Sequence, residues 1–393
     1  MRWGQFAVDC CGMTSLVLAF ALAPVWLYLC GTVVAAATFA RRRVAPPAAQ
    51  PAVSVMKPLH GVEPGLYENL LSFVDQDYPS VQIVFGVRSS DDGALPVARR
   101  VIAERPERDI ALVIDSRVSG RNLKVANLVN MLPAARHDLL VFADSDMRVG
   151  RNYLATVTAP LHDPAIGLVT CLYKGWPDTN MPMAGLWSRL GALHINFGFL
   201  PGALLGEALN AGGGCFGATI ALRRAVLERI GGLAVVRDEL ADDHRIGTAV
   251  REAGFATALS PYLVETSVSE KNLKCLWRHE LRWARTVRLM APVGFAGSIV
   301  THAVALSLIA ALLCGFSLTS LGFLALSCAL RWVSAGAIAR TLRLPSAGLW
   351  LLPLRDLLSF AVFIGSFCGR NVSWRDQLFR IEPSGIIVDG DGE

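Results

Sequence analysis

Between Cys10 and Ala40 the chain carries no charged side chain. A helix needs only about 20 apolar residues to cross the hydrocarbon of a bilayer. Arg41, Arg42 and Arg43 follow at once, and then a Pro/Ala-rich stretch to Pro51. A cleaved signal peptide is the competing reading, but its apolar core is shorter and its basic cluster comes first. The order found here predicts an uncleaved anchor over 10–40 and a linker over 41–51. By the positive-inside rule, the domain that follows is expected on the cytoplasmic side. Composition agrees, since 53% hydrophobic against 18% charged residues is too apolar for an ordinary soluble enzyme.

The second apolar region covers 291–370. Stretches 294–316 and 318–339, with almost nothing polar between them, read as a helical hairpin. Arg331, inside the second, is expected to snorkel or to face a neighbouring helix. A third stretch, 349–368, contains Arg355 and Asp356. If all three cross, Arg370, Arg375 and Arg380 in or beside the tail (371–393) end outside, against the charge rule. The alternative is that one stretch re-enters or lies in the interface, with Arg355 and Asp356 paired or facing a polar site. The nine cysteines form no metal or disulfide pattern and read as free thiols in a reducing compartment. A net charge of +5, without interleaved aromatic and basic residues, points to an anionic leaflet and not to nucleic acid.

Between these ends, over 52–290, short β-branched runs alternate with helical periods. Strands are expected at 53–56, 81–87, 110–114, 139–143 and 167–171, and helices at 63–75, 95–104 and 122–131. That alternation implies an α/β fold, a mostly parallel sheet with helices on both faces. Ligands of such sheets bind outside the carboxyl ends of the strands. The residues just after the first, second and fourth strands are Lys57 to Gly61, Asp91-Asp92 and Asp144-Ser145-Asp146. A lysine and two acidic clusters are thus delivered to one edge.

Asp144 and Asp146 are hard oxygen ligands suited to Mg²⁺ or Mn²⁺ bridging to phosphate oxygens, although Asp-x-Asp also occurs on solvated turns. Asp242-Asp243 precedes a helical stretch. It is either a helix cap or the source of a general base that takes a proton from an attacking hydroxyl. The run His279-Glu280-Leu281-Arg282-Trp283 lies in a basic amphipathic stretch. Such a stretch anchors to headgroups, or uses Arg282 as an always-charged diphosphate donor. The apolar segment 186–201, with Trp187 and His194 and followed by Gly212-Gly213-Gly214, is either interfacial, admitting a lipid, or a plain buried helix.

Taken in order, these pieces resemble the processive-type GT-A glycosyltransferases, and within them the ceramide glucosyltransferase group. The likeness covers about 53 to 387. Its marks are an Asp after the second strand, a D-x-D, a third Asp and (Q/R)xxRW, onto which fall Asp92, Asp144 with Asp146, Asp243, and His279-x-x-Arg282-Trp283. Other stretches look similar to bacterial hopanoid-biosynthesis-associated glycosyltransferases. These are Lys57-Pro58-Leu59-His60-Gly61-Val62-Glu63-Pro64, Val169-Thr170-Cys171-Leu172-Tyr173 and HELRWART over 279–286. The tail Val372-Ser373-Trp374-Arg375 resembles the end of ceramide glucosyltransferases.

The resemblance implies a GT-A Rossmann-like sheet between N- and C-terminal transmembrane helices, in a multi-pass protein of a bacterial inner membrane. It implies that Asp92 contacts the uracil or ribose of a UDP-sugar, with Lys57 and Glu63 shaping that pocket. Asp144 and Asp146 would hold a metal–diphosphate, with Mg²⁺ or Mn²⁺ as cofactor, and Asp243 would be the base. Arg282 and Trp283 would close on the diphosphate and the acceptor. His279 stands where the wider family has Gln or Arg; a neutral imidazole can bond a phosphate but brings no permanent charge. The function so implied is inverting transfer of N-acetylglucosamine from its UDP donor to a membrane lipid, a hopanoid polyol. The rivals are glucose transfer from UDP-glucose to ceramide, and a non-catalytic UDP-sugar-binding membrane scaffold.

Overall fold

The computed structural model describes residues 2–43, 50–178, 184–210, 214–369, 371–374, 377–381 and 387–389. Most of the 41–51 linker, Gly212 and Gly213, and Arg370 and Arg375 lie outside the described residues. The chain divides into two compact units. A sheet unit comprises Arg42–Asp178, Asn210–Ser269 and Asp376–Glu393, and a helical unit comprises Met1–Arg41, Thr179–Leu209 and Glu270–Arg375. Two segments expected within the 52–290 domain, 179–209 and 270–290, therefore fall in the helical unit.

The sheet unit is built on eight strands: β1 (Val53–Pro58), β2 (Val81–Val87), β3 (Asp109–Ile114), β4 (Leu139–Phe142), β5 (Met147–Arg148), β6 (Ile166–Pro177), β7 (Ile220–Arg223) and β8 (Ala256–Val268). Their order is β3-β2-β1-β4-β7-β6-β8-β5. β3, β2, β1 and β4 run parallel, β7 is antiparallel to β4 and β6, β8 is parallel to β6, and β5 closes the edge antiparallel to β8. The result is the mixed, mostly parallel α/β sheet expected.

Alternation along the strands sorts side chains to two faces. Val53 and Val55 pack on one face with Leu70, Phe73, Ala98 and Tyr153, while Met56 packs on the other with Leu128, Met131, Phe142 and Val250. Helices Leu66–Val74 and Ala94–Glu104 thus cover one face, and Leu123–Met131 and Asp242–Glu252 the other. Three strands, β5, β7 and β8, had no counterpart among the five expected. β8 contains Pro261 and polar residues at several positions, which hides its period.

Connections from β1 lead to β2 on one side, while β4 lies on β1's other side. The boundary between β1 and β4 is therefore the topological switch point, where sheets of this kind open a crevice at the carboxyl ends. Lys57, near the end of β1, and Asp144, just past β4, meet there.

In the helical unit, Arg2–Arg41 forms one long helix. By length and composition, Ser15–Arg41, Leu318–Leu342 and Leu349–Ser366 can each cross a membrane. The stretch expected at 294–316 is not one straight helix, because Pro292–Thr301 and Ala303–Leu313 are bent by 69°. Ala303–Leu313 has 11 residues; at 1.5 Å per residue it reaches only about half of a ~30 Å hydrocarbon core. Trp26 Nε1 donates to Ser327 Oγ (2.9 Å) and Ser307 Oγ to Ser327 Oγ (2.6 Å), polar links of the kind that join helices in lipid. The 186–201 segment is the helix Ala184–His194, the π-helical turn Ile195–Phe199 and the start of Leu200–Ala208. Leu190, Leu193, Ile195, Phe197 and Leu200 are buried in it, while Leu186 is exposed.

Candidate active site

The sheet unit gathers its charged side chains at the switch point. Lys57 is fully buried, its Nζ donating to the backbone oxygen of Asp144 (2.7 Å) and lying 3.6 Å from the centroid of the Phe73 ring. Burial pulls its ammonium down to about 7, against the opposing pull of Asp146, Asp144 and Glu63. Glu63 moves the other way: burial, and then Asp146, push its carboxyl up to about 7. Its Oε2 is buried without a hydrogen-bond partner.

Asp144 Oδ1 lies 2.7 Å from Lys124 Nζ, and the same ammonium is 3.3 Å from Asp242 Oδ2. Burial alone would lower Lys124, but Asp144 and Asp242 outweigh it and hold the charge firmly in place. Asp146 accepts from Thr266 Oγ1 (2.9 Å) on β8. Burial and the adjacent Asp144 push the Asp146 carboxyl above its ordinary range.

Asp243 is held by two backbone N–H groups: Gly217 donates to Oδ2 (2.8 Å) and His244 to Oδ1 (2.7 Å). Burial, then Asp242, raise its carboxyl to about 6, with Lys124 pulling it down. Gly217 is where these acids converge. A Cβ there would lie 3.2 Å from Asp243 Oδ2 and 3.6 Å from Asp144 Oδ2.

Asp92 has a different environment. Its Oδ1 accepts from Gly61 N (2.8 Å) and Ala94 N (2.9 Å), and its Oδ2 lies 3.2 Å from His60 Nδ1. The carboxylate thus starts helix Ala94–Glu104 and ties the loop after β1 to the loop after β2.

The helical unit carries His279, Arg282 and Trp283 on Leu273–Met290. His279 Nδ1 lies 2.8 Å from Glu270 Oε1, and its ring is 4.2 Å from that of Trp283. The His194 ring lies 6.5 Å from that of Trp283, roughly parallel to it. Burial pulls His194 down to about 4, so it stays neutral at physiological pH.

The structure therefore joins Lys57, Glu63, Asp144, Asp146 and Asp243 in one unit, and His279 with Arg282 and Trp283 in the other. Sequence reasoning missed Lys124, Gly217 and Thr266. Lys124 did leave a signal, a cation in the first turn of a helix, where the macrodipole disfavours it. Asp144 and Asp242 supply the reason it is there.

Among the described residues, no group of three or more His, Cys, Asp or Glu could hold a metal by itself. A Mg²⁺-type ion does not need one, since one or two carboxylates suffice when phosphate oxygens and water complete the shell. Asp146, whose carboxyl burial and then Asp144 raise, and Glu63, with an unpartnered buried oxygen, leave acidic oxygens that a cation can neutralise. The residues present fit a divalent cation that arrives with a diphosphate.

The chain belongs to glycosyl transferase family 21, whose model matches residues 16–387. It is 25% identical over 251 residues to ceramide glucosyltransferase 1 of Caenorhabditis elegans, a match covering 64% of this chain and 53% of that one. With ceramide glucosyltransferase 3 of the same organism the identity is 22% over 353 residues, covering 86% of this chain and 74% of the relative. The chain thus spans about half the length of the first of these relatives and about three quarters of the second. Among solved structures it is similar to the mannosyltransferase PcManGT from Pyrobaculum calidifontis, in complex with GDP-Man and Mn²⁺. That likeness has 21% identity, covers 91% of this chain and 99% of the other, and has a TM-score of 0.51. It shows a shared glycosyltransferase fold.

Proposed function

We propose that this member of glycosyl transferase family 21 transfers a sugar from a UDP-sugar to a hydroxyl of a membrane lipid, with inversion at the anomeric carbon. The observation that carries the reading is the set of acids at the switch point, above all Asp243, held by two N–H groups with its carboxyl raised to about 6. A carboxylate so placed is ionised at neutral pH yet basic enough to take a hydroxyl proton in the transition state. As Asp243 takes that proton, the acceptor oxygen bonds to the anomeric carbon. The bond from that carbon to the diphosphate oxygen breaks, and its electron pair leaves with UDP.

Lys57 and Glu63 shape the donor pocket, and Asp92 holds the loops that border it and faces the nucleoside. Asp144 and Asp146 are the residues that would hold Mg²⁺ or Mn²⁺, which when bound neutralises charge on the departing diphosphate. The Mn²⁺ complex of PcManGT supports such an ion. For the motif of the helical unit, the family resemblance supports diphosphate binding by Arg282, acceptor binding by Trp283 and a hydrogen-bonding role for His279. The apolar helices support a membrane location, and Arg41 to Arg43 support a cytoplasmic side for the sheet unit.

For the acceptor, the local likenesses around Lys57 and His279 support a hopanoid polyol with N-acetylglucosamine as the sugar. The matched Caenorhabditis elegans relatives favour glucose and ceramide. The test offers radiolabelled UDP-GlcNAc and UDP-glucose, each with bacteriohopanetetrol and with ceramide, to detergent-purified protein with Mn²⁺ or Mg²⁺. Label on the hopanoid from UDP-GlcNAc supports the first acceptor, and label on ceramide from UDP-glucose the second. UDP-sugar bound but never consumed would leave the scaffold reading and overturn the enzyme.

A further inference from the structure

We infer that Arg355 and Glu280 are positioning residues, whose buried ion pair sets the rotation of helix Leu273–Met290 and so aims His279, Arg282 and Trp283. The inference rests on the proposed role of that motif. On this helix the buried residues are Leu276 and Glu280, one turn apart on a single seam. Two apolar side chains would serve adhesion alone, and burying a carboxylate carries a desolvation cost.

The partner explains the choice. Arg355, on helix Leu352–Ser366, is 1% exposed and is the largest fully buried side chain in the molecule's described residues. Its Nη1 and Nη2 donate to Glu280 Oε1 and Oε2, both at 2.7 Å, and its Nε to Ser359 Oγ at 3.1 Å. A planar fork on a carboxylate fixes direction as well as distance, which apolar contact does not.

Arg355 is itself held. The next residue, Asp356, receives Arg331 Nε at 2.9 Å and Nη2 at 3.0 Å from helix Leu318–Leu342, and Arg331 Nη2 also donates to Phe197 O (3.1 Å). Adjacent opposite charges on one short helix therefore tie it to two different neighbours. Glu280 directly follows His279 and precedes Arg282 by two residues. A slip of one residue along the seam would turn the motif by about 100°.

Removing one charge would strand the other, whereas replacing both with apolar residues of similar size is often neutral or stabilising. The test is therefore the double variant Glu280→Leu/Arg355→Met in the full chain, purified in detergent, with unfolding temperature, kcat and KM for both substrates measured. The expected result is an unfolding temperature at or above native with kcat down roughly 10–100-fold. A stable double variant with native kcat overturns the inference.

Should the double variant fail to fold, Arg355→Lys decides. It keeps the charge and loses the fork, so a tenfold loss of kcat per folded molecule supports positioning, and native kcat overturns it. Arg282→Ala separates the two layers. If it transfers normally, the motif's role fails and the inference with it. If Arg282→Ala is inactive and the double variant is native, only the positioning role fails.

Discussion

A base in catalysis works best when its conjugate acid has a pKa near the working pH. Asp243 meets that condition because burial and Asp242 raise it to about 6. The active form is the carboxylate, so kcat/KM should show an acidic limb that falls as pH drops through about 6. Asp243→Asn should lose about 10²–10⁴-fold in kcat and the acidic limb with it, while UDP binding measured by calorimetry stays near native. An unchanged pH profile in a still-active variant would remove the base assignment. Lys124 has a distinct task, neutralising Asp144 and Asp242 at once. Lys124→Met should cost roughly 1.5–3 kcal/mol in denaturant unfolding, the worth of charged hydrogen bonds. Asp243 could be singled out in the sequence as a candidate base. Its lysine neighbour could not, because a separation of 119 residues between Lys124 and Asp243 leaves no pattern in the chain.

At the scale of elements, helix Leu123–Met131 matters because it presents Lys124 from its first turn. Asn122 caps it, its Oδ1 accepting from Lys124 N (3.0 Å) and Val125 N (3.1 Å). The same side chain donates from Nδ2 to Glu239 O (2.8 Å), tying the helix start to the segment before Asp242. Asn122→Ala should cost about 1–2 kcal/mol, read as a lowered unfolding midpoint. Activity should drop more than folding does, since the cap also sets Lys124. If transfer per folded molecule stays native, the cap matters to stability alone. Five of the eight strands, and helices Leu66–Val74, Ala94–Glu104 and Leu123–Met131, were readable from hydrophobic period and bounding turn residues. β5, β7 and β8 were not, because strands whose partners are distant owe their stability to cross-strand neighbours more than to their own sequence.

At the scale of the whole molecule, the arginines after the first apolar helix and the sheet unit's chemistry make one topological prediction. With the other cysteines replaced, Cys275 on helix Leu273–Met290 should react with a membrane-impermeant maleimide in inside-out vesicles and not in right-side-out ones. Labelling from the outer face alone would reverse the orientation. Sequence by itself picked out a first helix long and apolar enough to cross a membrane, the alternation of strand and helix and the acids at the strand ends, because each follows from local composition and period. For Arg355 and Asp356, charges in an apolar stretch, it offered only that they pair or face a polar site, without naming the partners. Only tertiary structure decided that Arg355 meets Glu280 and Asp356 meets Arg331, and that Lys124 bridges Asp144 to Asp242. Such pairings depend on which distant segments fold against each other, and the energy of a buried charge is set by the partner that packing brings to it.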